Sequence, residues 1–345
     1  MIKTLVSYPD YTMGNAYQEL VYKSYAGKVV YGDIDKAIEI SEGDQSCIFH
    51  IHWLNQIIKN DRQESEKLAE EFKQKVLHLQ LRGSRLAWTV HNLLGHHTNT
   101  KDTDFEIGFR RWLADKVDLL ILHKPGHLNL IRSVYKCSPK HCYFHEHGLY
   151  ELKPKTIPKA LIQETAIKPG SFIISLLGQI RKYKGLAEAI EIFNAISEKT
   201  NKDLVLLVAG AVEWSYRNDV ATLLDTVYDQ NRLVSVQRRL LDEELHWLTE
   251  HSSLIMLPYT KILNSGSLRY NQTLGTISAI PSRHMELFRN EPGILFYTDI
   301  QDAANQIKVL IDETEEANQQ RSFDIKRQAQ TKLSWPDLTA IMNQL

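Results

Sequence analysis

Two glycine-containing loops carry the residues best suited to holding an anion. The first reads Leu177-Gly178-Gln179-Ile180-Arg181-Lys182-Tyr183-Lys184-Gly185 and lies between an apolar run and a helical pattern. Gly178 lets a ligand approach the backbone, and Arg181 and Lys184 set two cations beside the helix start, which suits a diphosphate. The second reads Leu257-Pro258-Tyr259, with Asn264-Ser265-Gly266-Ser267 opening a further helix. Small residues with side-chain oxygens and backbone N–H groups form an anion nest, although a serine at a helix start also serves as an ordinary N-cap. Each loop alone also reads as a basic turn or a cap; the pair favours phosphate.

Imidazoles form a second group. His91 and Asn92 follow the apolar run of Trp88-Thr89-Val90-His91-Asn92-Leu93-Leu94-Gly95-His96-His97. An imidazole there can act as base, acid or donor to a sugar hydroxyl; a buried histidine at a strand end is the alternative. His50 and His52, in Ile48-Phe49-His50-Ile51-His52-Trp53, share one face of a strand because side chains alternate with period two. Cys137, His141, Cys142, His145 and His147 crowd one short stretch. They lack the C-x2-C or H-x3-H rhythm of a tetrahedral site, and strand alternation would split them, so no metal site is expected.

The elements that must position these groups alternate strand and helix, which argues α/β with mostly parallel sheets. Strands are predicted at 4–8, 48–52, 86–90 and 119–123, with helices at about 16–25 and 62–82, the latter carrying Leu68, Phe72, Val76 and Leu79 at helical spacing. The second half repeats the pattern with strands at 171–177, 204–209, 234–237 and 253–258 and helices at 186–199, from 242, and at 267–274. The proline-spaced segment 153–158 reads as a linker. It sets a first domain at 1–155, a second at 156–322, and a helical segment at 323–345 packing back across the domains. Two doubly wound halves would turn their strand ends to a shared cleft, where ligands bind.

A length of 345 residues fits about two domains. The formal net charge of −1 provides no field for a polyanion, so nucleic-acid binding is not expected. Cys47, Cys137 and Cys142 do not make a disulfide framework. No apolar run approaches the ~18 residues that span a bilayer, and the first residues read as a strand rather than a signal.

Together these residues resemble a glycosyltransferase of the GT-B fold, two Rossmann-like doubly wound domains facing a cleft. Gly178 through Gly185 resembles the donor-phosphate loop of such enzymes, and Pro258-Tyr259 with Asn264-Ser265-Gly266-Ser267 resembles their second donor motif. A closer likeness is to the β-mannosyltransferase of xanthan-type exopolysaccharide assembly and its relatives. The matching segments are Asn15-Ala16-Tyr17, His50-Ile51-His52-Trp53, Thr89-Val90-His91-Asn92 with His96, Tyr183-Lys184-Gly185, and Leu257-Pro258-Tyr259 with Asn264-Ser265-Gly266. They keep the family's order over about residues 15 to 281. Ala16 replaces the family's proline, and His97 its acid; Asn264 and Gln272 stand where many retaining GT-B enzymes carry a Glu-x7-Glu pair.

The resemblance implies inverting transfer from a nucleotide sugar, GDP-mannose, to a glycan or polyprenyl-diphosphate-linked acceptor, in the cytoplasm and peripherally at the inner face of the cell membrane. The helix at 62–82 is the candidate membrane contact. Gly178, Arg181, Lys184, Tyr259, Asn264, Ser265, Gly266 and Ser267 would bind the donor. Asn15, Tyr17, His52, Trp53 and Asn92 would bind the acceptor. His91 and His96 are the candidate catalytic bases, with Asp10 and Asp104 in reserve. Arg181 and Lys184 would replace a metal at the leaving diphosphate, so neither a metal nor another cofactor is expected. The alternatives are a retaining transferase using a UDP-sugar and an inactive nucleotide-sugar-binding protein.

Overall fold

A computed structural model describes residues 2–13, 15–43, 46–95, 103–152 and 157–345. The chain forms two compact units, Met1–Gly148 with Ser334–Leu345, and Leu149–Leu333. Most of the expected linker, residues 153–156, lies outside the described residues.

The first unit is built on β1 (Leu5–Tyr8), β2 (Val29–Tyr31), β3 (Ile48–Ile51), β4 (Arg85–Thr89), β5 (Leu119–Leu122) and β6 (Cys142–Phe144), in the spatial order β2-β1-β3-β4-β5-β6. The second carries β7 (Phe172–Leu177), β8 (Leu204–Ala209), β9 (Leu233–Val236), β10 (Leu254–Met256), β11 (Ser278–Pro281) and β12 (Ile294–Tyr297), ordered β12-β11-β10-β7-β8-β9. Every pairing is parallel. Strands covered on both faces must be apolar throughout, and β5 (LLIL) and β8 (LVLLVA) are fully buried. Because the strands are parallel, their C-terminal ends emerge along one edge of each sheet. In the second sheet the order reverses between β7 and β10, and in the first between β1 and β3, the places where an open α/β sheet leaves room for a ligand.

The helices supply the covering layers. Arg62–Leu81 turns Ala69, Phe72, Val76 and Leu79 inward, so its apolar stripe is buried in its own unit. In the second unit, Leu186–Ser197 buries Ile190, Phe193 and Ile196 in the same core as Leu206 and Val208 of β8. The single helix expected over 323–345 is instead two, Glu315–Lys332 and Leu338–Met342. Pro336 lacks an N–H and disfavours helical backbone at Trp335, which breaks the run. The second piece belongs to the first unit: Ser24 Oγ donates to Pro336 O at 2.9 Å, and Leu338, Ile341 and Met342 share a core with Leu5 and Tyr17. The first helix is confined to Tyr17–Tyr22. Sequence reading missed four strands: β2, β6, β11 and β12.

Candidate active site

At the β7/β10 reversal the two anion-suited loops come together. Gly178 has φ +84°, and a Cβ there would sit 3.3 Å from Lys184 Nζ. Lys184 folds back under its loop and donates to Leu177 O at 3.3 Å, with its ammonium 6.0 Å from the Tyr259 ring centroid. It is 8% exposed, and burial, reinforced by the Arg181 charge, lowers its pKa to about 8. Among the described residues no carboxylate pairs with it. A buried cation served by one carbonyl is poorly compensated, and an arriving anion would complete its shell. Arg181 is half-buried, its Nε 3.9 Å from Glu213 Oε1.

Backbone contacts fix the two loops to each other. Thr260 N donates to Tyr183 O at 2.8 Å, and the Tyr183 and Tyr259 rings lie 5.7 Å apart. Gly185 has φ +73°, and a Cβ there would meet Pro258 O at 2.1 Å. Only glycine fits such backbone-to-backbone contact in the left-handed region. Gly185→Ala is therefore expected to push the loops apart and lower the melting temperature of the second unit by several degrees, at about 2–4 °C per kcal/mol for a unit of this size. An unchanged melt, read by circular dichroism, would show that the contact is dispensable.

Helix Gly266–Leu274 starts one residue earlier than expected, with Ser265 as its N-cap, the hydroxyl accepting from Leu268 N at 3.0 Å. Ser265 is thus buried in a capping role, and Asn264, Gly266 and Ser267 are half-buried around it. Gln272 is fully buried: its Oε1 accepts from Arg269, and its Nε2 donates to Glu291 and to Pro292 O at 2.9 Å. That amide is occupied in a structural ion-pair network around Arg269 and Glu291. Sequence reading missed the residues that hold Tyr259. His284 Nε2 donates to Tyr259 O at 2.6 Å, and Arg283 donates to the same carbonyl at 3.2 Å and to Glu188 at 3.0 Å. Both follow β11, one of the unanticipated strands, so no spacing pointed to them.

Along the C-terminal edge of the first sheet, neighbouring strands bring histidines from four segments into one hydrogen-bonded series. Thr89 Oγ1 meets His50 Nε2 at 2.8 Å, and His50 Nδ1 meets Tyr22 Oη at 2.9 Å. Tyr22 Oη contacts His52 Nε2 at 2.6 Å, and His52 Nδ1 contacts His91 Nε2 at 3.1 Å. His91 Nδ1 then meets His123 Nε2 at 3.3 Å, and His123 Nδ1 meets the His145 carbonyl at 3.3 Å. The last group fixes the direction of all the others. A carbonyl can only accept, so His123 carries its hydrogen on Nδ1 and offers a lone pair on Nε2. A neutral ring has one N–H, so His91 must donate from Nδ1 and accept at Nε2, and His52 must do the same. Tyr22 then donates to His52 and accepts from His50, which leaves Thr89 to donate to His50. These tautomers are assigned from the network. While every bond of the series is kept, an added proton anywhere would set two donors against each other.

Burial and mutual proximity act in the same direction. His50 is lowered to about 3, chiefly by burial and then by His145, while His52, His91 and His123 lie well below the ordinary imidazole value for the same leading reason. Tyr17 is the hub of the edge: its ring packs 4.7 Å from His91, 5.0 Å from His147 and 5.4 Å from Trp335. Trp53 stacks on His91 at 4.5 Å and 16°. The structure thus unites Tyr17, His52, Trp53 and His91 with His50, the strand-face neighbour of His52, and adds Tyr22, His123, His145, His147 and Trp335, from segments that no spacing had linked to them.

The remaining sequence candidates sit less centrally. Asn15 Oδ1 accepts from Tyr17 N at 3.0 Å, a local turn that starts the helix. Asn92 offers its carbonyl to Arg110 at 3.1 Å, and the Arg110–Glu106 ion pair is buried beneath that loop. Asp10 is exposed and accepts from Thr12, and Asp104 is exposed in the first turn of Thr103–Lys116. His96 and its neighbour His97 lie outside the described residues. Among the described residues, no group of three or more His, Cys, Asp or Glu is placed to hold a metal ion.

No family model and no curated protein matches the sequence. Solved structures do. HepE of Anabaena in complex with UDP-glucose superposes with a TM-score of 0.68 at 11% identity, covering 100% of this chain and 99% of that one. A glycosyltransferase from Rickettsia africae gives 0.66 at 12% identity, covering 99% and 97%. The UDP-forming α,α-trehalose-phosphate synthase of Burkholderia xenovorans, in complex with glucose-6-phosphate, gives 0.65 at 9%, covering 99% and 98%. The chain has the GT-B fold. Its two sheets are the two Rossmann-like domains of that architecture. In this GT-B chain the phosphate-suited loops occupy the strand reversal of the second domain, and the histidine series lies along the strand ends of the first.

Proposed function

We propose that this chain is a glycosyltransferase that moves a hexose from a nucleoside-diphosphate donor to a glycan or polyprenyl-diphosphate-linked acceptor, without a divalent metal and with inversion at the anomeric carbon. The observation that carries the reading is Lys184, a buried ammonium beside Gly178 with no carboxylate partner among the described residues. On donor binding, Lys184 and Arg181 take the charge that develops on the departing diphosphate, and the N-terminal turn of helix Gly266–Leu274 adds its positive end. The acceptor hydroxyl loses its proton to the histidine edge of the first domain. There His91 Nε2 is the lone pair of choice, and His52 must yield its bond to expose it. His96 is the alternative base. The buried, fully engaged Gln272 supports a mechanism without the retaining pair.

GDP-mannose is the donor in this proposal because the ordered motifs match the mannosyltransferase group. UDP-glucose is the second reading, favoured by its presence in the HepE complex. Peripheral membrane contact would follow from a lipid-linked acceptor rather than from helix Arg62–Leu81, whose apolar stripe is buried. Among the described residues no helix is long and apolar enough to cross a membrane. A thermal-shift series with GDP, UDP, ADP, dTDP and CDP, with and without EDTA, tests the proposal. GDP at 100 times its Kd is expected to stabilise by about 2.7 kcal/mol whether or not EDTA is present. A UDP-selective response would replace the donor, and no response to any nucleotide would sink the transferase reading.

A further inference from the structure

Trp214 follows β8, on the same strand-end edge as the anion-suited loops, and is 79% exposed. A side chain of this size exposes so much apolar area only at a cost. The segment that carries it is nonetheless tightly held. Ile180 N donates to Ala211 O at 2.8 Å, Glu213 N donates to Ile180 O at 3.0 Å, and Tyr216 N donates to Glu213 O at 2.9 Å. A Cβ on Gly210 would meet Gly178 O at 2.0 Å, so the turns after β7 and β8 touch backbone to backbone. Glu213, the residue before Trp214, is the ion-pair partner of Arg181. The Arg217 guanidinium lies 4.5 Å from the indole centroid and steadies the ring from one side, while most of the ring stays in solvent.

Trp214 is therefore an ordered aromatic surface fastened directly to the loop that carries Gly178, Arg181 and Lys184. A diphosphate held by that loop leaves its nucleoside to extend along the sheet edge, and β8 is the strand next to β7. We propose that Trp214 is the platform on which the base of the donor nucleotide stacks, an assignment that rests on the donor-site reading above. Stacking on an indole needs only a π-face, so the platform would serve a purine or a pyrimidine, and base identity would be read elsewhere.

Calorimetric titration of the full chain with pyrophosphate, GDP and UDP tests this for the wild type, Trp214→Ala and Trp214→Phe. The expected result is a pyrophosphate Kd unchanged within twofold in all three. The Kd of the nucleoside diphosphate that the wild type binds should rise roughly fivefold to a hundredfold in Trp214→Ala and recover largely in Trp214→Phe. Nucleotide affinity indifferent to Trp214→Ala would overturn the platform and leave the diphosphate site standing, including where the variant instead raises the KM of the acceptor. Equal losses for pyrophosphate and nucleotide would also overturn it, as damage to the loop. A wild-type chain that binds neither ligand would remove the donor site and the platform together.

Discussion

Lys184→Ala is expected to lower turnover by about two orders of magnitude while the chain keeps its fold, the scale of losing a key electrostatic stabiliser of a leaving group. The loss corresponds to about 2.7 kcal/mol at 1.36 kcal/mol per tenfold. Steady-state kinetics with the donor identified by thermal shift, together with a circular-dichroism spectrum of the variant, would check it. A folded variant with unchanged kinetics would strip Lys184 of its phosphate role. The same residue gives the site a pH signature. In the free protein Lys184 holds its proton only up to about pH 8, because burial and then Arg181 disfavour the charge. A bound diphosphate favours the charged form and raises that pKa, so binding takes up a proton at higher pH. Donor affinity should accordingly be constant below pH 8 and weaken by up to tenfold per unit above it. Lys184→Arg should flatten that dependence, since guanidinium does not titrate there. A wild-type affinity independent of pH between 7 and 10 would contradict the assignment.

The second large effect is acid lability of the first domain. His50, His52, His91 and His123 are all held well below the ordinary imidazole pKa by burial first and by neighbouring imidazoles second. The unfolded chain protonates these groups near pH 6.5 and the folded chain does not. Their contribution to stability is complete above pH 6.5 and is lost as the pH falls toward the folded values. Each shifts the folding equilibrium nearly tenfold per pH unit. The four together weaken the domain by about 5 kcal/mol at pH 5.5, against a typical total of 5–15 kcal/mol. We expect the first domain to melt far earlier at pH 5.5 than at pH 7.5, with the second domain much less affected. His50→Gln should reduce the dependence by about one proton. A melting temperature that stays flat from pH 7.5 to 5.5 would contradict the neutral-chain assignment.

Several parts of this architecture are legible without coordinates. Strands buried on both faces have to be apolar, and that is why β7 and β8 stand out as Phe172–Leu177 and Leu204–Ala209. β2 and β6 are three-residue strands without a fully buried residue, so their composition resembles loop. β11 contains Ser278 and Pro281, which do not read as strand. Pro336 was visible in the sequence, yet its consequence, a broken helix with a separate final turn in the first-domain core, depended on what that turn could pack against.

The donor loops were readable because their chemistry is local: glycine, two cations and a helix start lie within nine residues. What made Lys184 the central residue was not local. The carbonyl it bonds, Leu177 O, is only seven residues back, but the Tyr259 ring beside its ammonium comes from the loop after β10, more than seventy residues away. The histidine edge lies further still from sequence logic. The residue types and the two-residue period placed His50 and His52 on one strand face, and the strand end placed His91. Their partners stand 28 to 39 residues away, on other strands and a helix. The sequence determined by itself which residues could carry charge, bind phosphate or move a proton, because those are properties of side chains. Only the tertiary structure decided which nitrogen of each imidazole carries its hydrogen, because that depends on the partner, and one carbonyl at the end of the series selects the tautomers of all the rings before it.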